Sequence, residues 1–250
     1  MPEKCVIRLE GVSTVYEGER RAAIKDVNLS LERGELAWVL GPNAAGKTTL
    51  LETINGLLLP IRGKVYVFGE DIERNLRRAR CKIGYVPQDF LVDPGEPYRA
   101  LDVVLMGMYG KIGVLRRPDT ADVGRALEVM RLLGVEELAN RPMGKLSGGQ
   151  QQKIMIARAL AKEPEIILLD EPFSNLDASS RQRIPELIRQ IHYEKGMTTI
   201  IVMHDPTEVS RQCSRVIAMD RGRVVMDGRP SEVLPILDKR AYHRELEATR

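Results

Sequence analysis

Apolar residues along the 250-residue chain fall into short blocks whose spacing changes from one third of the sequence to the next. Cys5 to Glu10, Val27 to Leu31 and Leu36 to Leu40 are short apolar or alternating runs bounded by Gly, Asn and charged residues, and they predict strands. Recurrence at three and four over Thr48 to Gly56, Asp102 to Met108, Asp119 to Leu133 and Ser147 to Ala161 predicts helices, so the middle of the chain reads as a helical block. Ile166 to Leu169, Thr199 to Met203 and Val216 to Met219 are unbroken apolar runs of the buried parallel-strand type, with a helical pattern over Ser180 to Glu194 between the first two. Pro185 lies inside that pattern and is expected to kink or restart the helix. Asp220 to Arg223 reads as a tight turn into Val224 to Met226. The sum is an α/β chain. Trp38 belongs to its core, and the basic run Arg74, Arg77, Arg78, Arg80 and Lys82 reads as a solvated face. No repeat, low-complexity tract or Ser/Gly linker separates independent domains.

Chemistry enters at the joints of this pattern. Gly41-Pro42-Asn43-Ala44-Ala45-Gly46-Lys47-Thr48 satisfies G-x-x-x-x-G-K-[ST] and sits between the run Leu36 to Leu40 and a helical pattern starting near Lys47. In that context backbone N–H groups of Asn43 to Thr48 are expected to converge on phosphates, Lys47 to pair with β- and γ-phosphate oxygens, and Thr48 to ligate Mg²⁺. Thr49 belongs to the same nucleotide-binding set. Ile166 to Leu169 ends in Asp170 and Glu171, two adjacent carboxylates at a strand end. Asp170 is expected to hold Mg²⁺ through water, and Glu171 to accept a proton from an attacking water; a helix-capping pair after a core strand is the bland alternative. Leu146-Ser147-Gly148-Gly149-Gln150 opens a helical pattern with Ser147 as cap and two glycines exposing backbone N–H groups, an end that attracts an anion.

With these three stretches in this order, the chain resembles the ATPase subunit of an ABC transporter, over nearly its whole length. The resemblance implies a P-loop NTPase (RecA-like) core with an antiparallel β subdomain and an inserted helical subdomain at about residues 90–160, forming one cassette over 1–234 with a charged tail over 235–250. It implies ATP and Mg²⁺ as cofactors and ATP hydrolysis as the activity. Gln88 matches the glutamine placed to contact metal and water, and His204 the switch histidine that touches the γ-phosphate. Ser147, Gly148, Gly149 and Gln150 match the segment that binds the γ-phosphate held by the opposite protomer, and Asp177 the loop crossing the same interface. Two chains would therefore pack head to tail. Tyr16 lies where the family keeps an aromatic ring to stack on adenine, a contact worth about 1 kcal/mol. Ala44 stands where a glycine is common, leaving Gly41 and Gly46 intact. The stretch Leu101 to Pro118 looks like the corresponding part of zinc and manganese uptake ATPases and would receive a coupling helix from a permease. The implied function is energising uptake of a metal ion such as zinc or manganese. Iron-complex (siderophore) or cobalamin importers and a non-transport iron–sulfur assembly scaffold ATPase are the alternatives.

Composition narrows the setting. Lys plus Arg total 38 against 35 Asp plus Glu, and a formal net charge of +3 selects no nucleic-acid partner. The three cysteines, Cys5, Cys81 and Cys213, are far apart and odd in number, which fits a reducing compartment. The start lacks a signal-peptide core, and no apolar run reaches bilayer-spanning length. The expected location is the cytoplasmic face of the cell membrane, held there by permease subunits and served indirectly by an extracytoplasmic solute-binding protein.

Overall fold

The computed structural model describes residues 4–19, 21–88, 95, 97–113, 116–174, 176–204 and 213–237. The chain forms two compact units, Met1–Arg74 with Thr199–Arg250, and Asn75–Thr198.

In the first unit, side chains alternate in and out along β1 (Cys5–Thr14) and β2 (Ile24–Glu32), which pair antiparallel. With β4 (Arg62–Val67) and β5 (Glu70–Asp71) they make an antiparallel sheet in the order β2-β1-β4-β5. Its inner face carries Ile7, Leu9, Ile24 and Leu31, all fully buried. The strand β3 (Leu36–Leu40) is buried at every position, as a strand covered on both faces must be. It pairs in parallel with β8 (Thr198–Met203) on one side and β9 (Arg215–Asp220) on the other, and β10 (Arg223–Gly228) adds antiparallel to β9. Arg215 ties three strands together: Nε and Nη2 each donate to the Asp227 carboxylate at 2.6 Å, and Nη1 donates to the Ser30 carbonyl at 2.7 Å. The short helix α1 (Lys47–Ile54) follows β3 and buries Leu50, Leu51 and Ile54.

The helix α2 (Ile72–Lys82) is interrupted at Asn75 (φ −129°, ψ 27°), where the second unit begins. Arg74, Arg77, Arg78 and Arg80 are exposed on it, as expected from the sequence, whereas Lys82 is half-buried and pairs with Glu165 at 2.7 Å. Next comes β6 (Ile83–Val86), parallel to β7 (Ile166–Asp170). Between these two strands the chain inserts α3 (Ala100–Met106), α4 (Tyr109–Ile112), α5 (Thr120–Leu132) and α6 (Gly148–Ala161). Met130, Met143, Ile154 and Ile156 form the interior of this helical block. Asp119 and Ser147 are the capping residues of α5 and α6, each closing a reciprocal box with the residue three further on.

Pro185 lies inside one 18-residue helix, α7 (Ala178–Lys195), so the helix does not restart at the proline. The proline withholds a donor from the carbonyl of Arg181, but Arg181 is exposed, so water can take that carbonyl.

Candidate functional site

The first unit holds the glycine loop. Gly41 (φ 155°) follows β3 directly, and a Cβ there would meet the Met219 carbonyl oxygen at 2.2 Å. At Gly46 (φ 95°), a Cβ would meet the Ala23 carbonyl oxygen at 2.8 Å. Both glycines are therefore demanded by close backbone approach as well as by conformation. Between them Pro42, Asn43 and Ala44 are exposed and Ala45 is buried. Ala44 takes the left-handed conformation (φ 61°) at the position where a glycine is common. The loop opens α1, whose first-turn N–H groups form an anion-receptive end. Lys47 is only 6% exposed, and its Nζ donates to the carbonyls of Gly41 at 2.8 Å and Pro42 at 3.1 Å, so the ammonium is folded over the loop it serves. Thr48 is half-buried and Thr49 buried. Tyr16, half-buried, donates its hydroxyl to Glu52 Oε2 at 2.8 Å and lies 3.0 Å from Thr49 Oγ1. His204 is exposed one residue beyond Met203, which pairs with Leu40, so the sheet register brings His204 and Gly41 to the same strand-end level.

The second unit holds the carboxylates. Asp170 closes β7 with no solvent exposure, and Glu171, 9% exposed, turns the chain at φ 44°. The Ser174 hydroxyl donates to the Glu171 carbonyl at 3.0 Å and stabilises that turn. Val86 is paired with Leu169, so Gln88 and Glu171 each stand two residues past a matched pair; Gln88 Nε2 donates to Glu171 Oε2 at 3.3 Å. Parallel register thus delivers both groups to one end of the strand pair. Ser147 Oγ accepts from the Gln150 N–H at 3.3 Å while Gln150 Oε1 accepts from the Ser147 N–H at 3.1 Å, leaving Gly148 and Gly149 in the first turn of α6. Asp177 caps α7: it accepts from the Ser180 N–H at 3.0 Å and from the Ser179 and Ser180 hydroxyls at 2.8 Å each. These donors hold its carboxyl well below the usual carboxylate range, the Ser180 N–H first among them.

Glu52 and Gln152 escaped sequence reasoning. Glu52 sits in an ordinary helical pattern, and only the fold shows its contact with Tyr16. Gln152 follows a run of polar residues, yet it is fully buried with no hydrogen-bond partner for its amide among the described residues.

A buried strand, a tight glycine loop closing on a lysine at a helix start, and in the same chain a strand-end carboxylate pair define a P-loop nucleoside triphosphatase. The ABC transporter family model matches residues 24–174, and the chain belongs to that family. Like the cassettes of that family, it is an ATPase. The manganese transport system ATP-binding protein MntB of Bacillus subtilis (strain 168) is 40% identical over 199 residues, 80% of this chain and 77% of the relative. The phosphonates import ATP-binding protein PhnC 2 of Halalkalibacterium halodurans is 37% identical over 236 residues, 91% of this chain and 96% of the relative. Among solved structures, the dimeric post-hydrolysis state of the ATP-binding cassette MJ0796, bound to ADP and Pi, is 33% identical with a TM-score of 0.79, covering 90% of this chain and 98% of that one.

Proposed function

We propose that this ATPase energises an importer of a metal ion such as zinc or manganese, working as a head-to-tail homodimer on the cytoplasmic face of the membrane. The observation that carries the catalytic part is the Gln88–Glu171 hydrogen bond at 3.3 Å beside a fully buried Asp170. Glu171 accepts the proton of the attacking water, Gln88 orients that water, and His204 contacts the γ-phosphate. Lys47 exchanges its bonds to the Gly41 and Pro42 carbonyls for phosphate oxygens, so its charge is already in place before nucleotide arrives. Tyr16 stacks on adenine, and Gly41 to Thr49 supply the remaining nucleotide contacts.

The donor types fit Mg²⁺. Thr48 offers a hydroxyl, Gln88 an amide oxygen and Asp170 a carboxylate, and hard oxygens are what that ion takes. A carboxylate with no solvent exposure also suits ligation of a cation. When bound, the ion neutralises charge developing on the β- and γ-phosphoryl oxygens.

The dimer reading rests on the Ser147 cap and the glycines after it, an anion-receptive helix end, and on Asp177 beside it in function. The dimeric MJ0796 cassette supports it. ATP that bridges the cradle of one protomer and the cap of its partner binds the closed pair preferentially, and hydrolysis removes that bias. Accordingly, Glu171→Gln should bind ATP and accumulate as a dimer. Size-exclusion runs showing only monomer with Mg-ATP, with nucleotide binding confirmed separately, would refute this.

Metal transport is supported by the manganese relative and by the stretch Leu101 to Pro118. Phosphonate import is the second reading, favoured by the greater span of the match to PhnC 2. Co-purification of the membrane subunit, followed by uptake of manganese, zinc or a phosphonate into vesicles, separates the two. Absence of any multi-helix membrane partner would argue for a non-transport role.

A further inference from the structure

Tyr16 is clamped to α1 at its hydroxyl. A carboxylate can only accept, so the phenolic proton goes to Glu52 Oε2 at 2.8 Å, and the contact with Thr49 Oγ1 at 3.0 Å must then be donated by the threonine. Two hydrogen bonds on one oxygen, one of them charge-assisted, leave the ring little freedom in either side-chain torsion. The backbone around it is held as well. The Glu19 N–H closes a turn on the Tyr16 carbonyl at 3.0 Å, and the Ala23 N–H bonds the Thr14 carbonyl at 2.9 Å. One helical turn on, fully buried Thr53 meets fully buried Thr14, Oγ1 to Oγ1, at 3.2 Å. Residues 49, 52 and 53 thus form one face of α1, turned towards the end of β1 and the tyrosine loop. The same helix begins with Lys47 and Thr48, so a single rigid element fixes both the phosphate cradle and the ring.

We infer that Glu52, with Thr49, is a positioning residue that holds Tyr16 at a set span from the phosphate cradle, so that the site selects a base-bearing triphosphate over bare polyphosphate. The inference rests on the reading of Tyr16 as the adenine platform. It adds that the platform is not free to find the base but is pre-oriented by a carboxylate on the phosphate-binding helix, which lowers the ordering cost of nucleotide binding.

The test compares the KM and kcat for Mg-ATP with the inhibition constant of tripolyphosphate, a competitor that has no base, in the full chain. Tyr16→Ala should raise the KM for ATP about ten-fold, the scale of a lost base–aromatic stack. Tyr16→Phe and Glu52→Ala should each raise it about three- to five-fold, the scale of a lost hydrogen bond, with kcat within about two-fold. Adding Glu52→Ala to Tyr16→Phe should change nothing further, because the phenylalanine has already lost the contact with Glu52. Glu52→Gln keeps an acceptor oxygen and should bring KM back towards wild type, and tripolyphosphate inhibition should be the same in all of them. If Tyr16→Ala leaves the KM for ATP unchanged, the adenine reading fails and this inference with it. If Tyr16→Ala raises KM while Tyr16→Phe and Glu52→Ala do not, the adenine reading stands and the inference alone is overturned. A parallel weakening of ATP and tripolyphosphate in Glu52→Ala would also overturn it, for Glu52 would then be supporting the cradle.

Discussion

Ala44→Gly isolates the effect of one backbone torsion at the centre of the phosphate loop. Ala44 holds φ at 61°, where a Cβ crowds the following carbonyl at a cost of about 1–2 kcal/mol that glycine does not bear. Glycine also gains freedom in the unfolded chain, which opposes stability by about 0.4–1 kcal/mol. The methyl of Ala44 is exposed, so little burial is lost with it. The balance favours the variant by about 0.5–1 kcal/mol, which for a chain of this length corresponds to a rise in Tm of about 1–4 °C. Ala45→Gly is the control. Ala45 is 2% exposed, so its glycine variant loses a buried methyl as well as unfolded-state restraint and should be destabilised by about 1–2 kcal/mol. The chain has a single tryptophan, Trp38, buried in β3 in the same unit as the loop, so its fluorescence reports urea unfolding of the structure in question. Ala44→Gly should shift the midpoint upward with an unchanged slope. A midpoint below wild type with the same slope would refute the claim that left-handed strain is stored there.

Glu171→Gln should lower kcat by at least about 100-fold while leaving the urea midpoint within about 1 kcal/mol of wild type, because the amide keeps an acceptor for Gln88; a kcat within about ten-fold of wild type would count against the proton-acceptor role. Burial first, and then the charge of Arg158, lower Lys162 to about 8 from 10.5. The unfolded chain therefore binds more protons between those values, and Tm should rise with pH from about 8 to 10.5 in wild type relative to Lys162→Met. A wild-type curve parallel to that of the variant would be the contrary result. Gln152→Leu removes a buried amide without a hydrogen-bond partner and should leave stability unchanged or raise it by about 1–2 kcal/mol, measured by urea unfolding; a loss of more than about 1 kcal/mol would show that the amide is bound to something in the folded protein.

The parts of this fold that could be read in the sequence are those whose causes are local. Leu36 to Leu40 is a strand because all five residues are buried, and the glycines after it stand where a Cβ would strike backbone. Ser147 and Asp119 announce helix starts because a short polar side chain can take an orphan N–H. The strand β4 went unread because Arg62, Gly63 and Lys64 are exposed and only Val65 and Val67 are buried, too few for an alternating signal. The helix α2 has the same fault, with Ile72 and Ala79 buried amid arginines. The helix α3 begins two residues before the predicted start because Arg99, no usual capping residue, closes its first turn through Asp102.

Contacts that depend on register could not be read in this way. Nothing local links Gln88 to Glu171; they meet because β6 and β7 run parallel with Val86 against Leu169. Glu171 is the sharper case. Its left-handed backbone bends the chain away after β7 at a residue type ill suited to that conformation. Local propensity asks for glycine or asparagine there, while the proposed chemistry asks for a carboxylate able to meet Gln88 without extending the strand. The carboxylate has prevailed at the expense of backbone strain. Of the six non-glycine residues with positive φ among those described, Glu171 and Ala44 fall on the two ends of the proposed reaction, the proton acceptor and the phosphate cradle. The other four, Asp26, Phe68, Glu163 and Arg221, lie outside the candidate site, so a left-handed backbone points to function only where it coincides with a group that the chemistry needs.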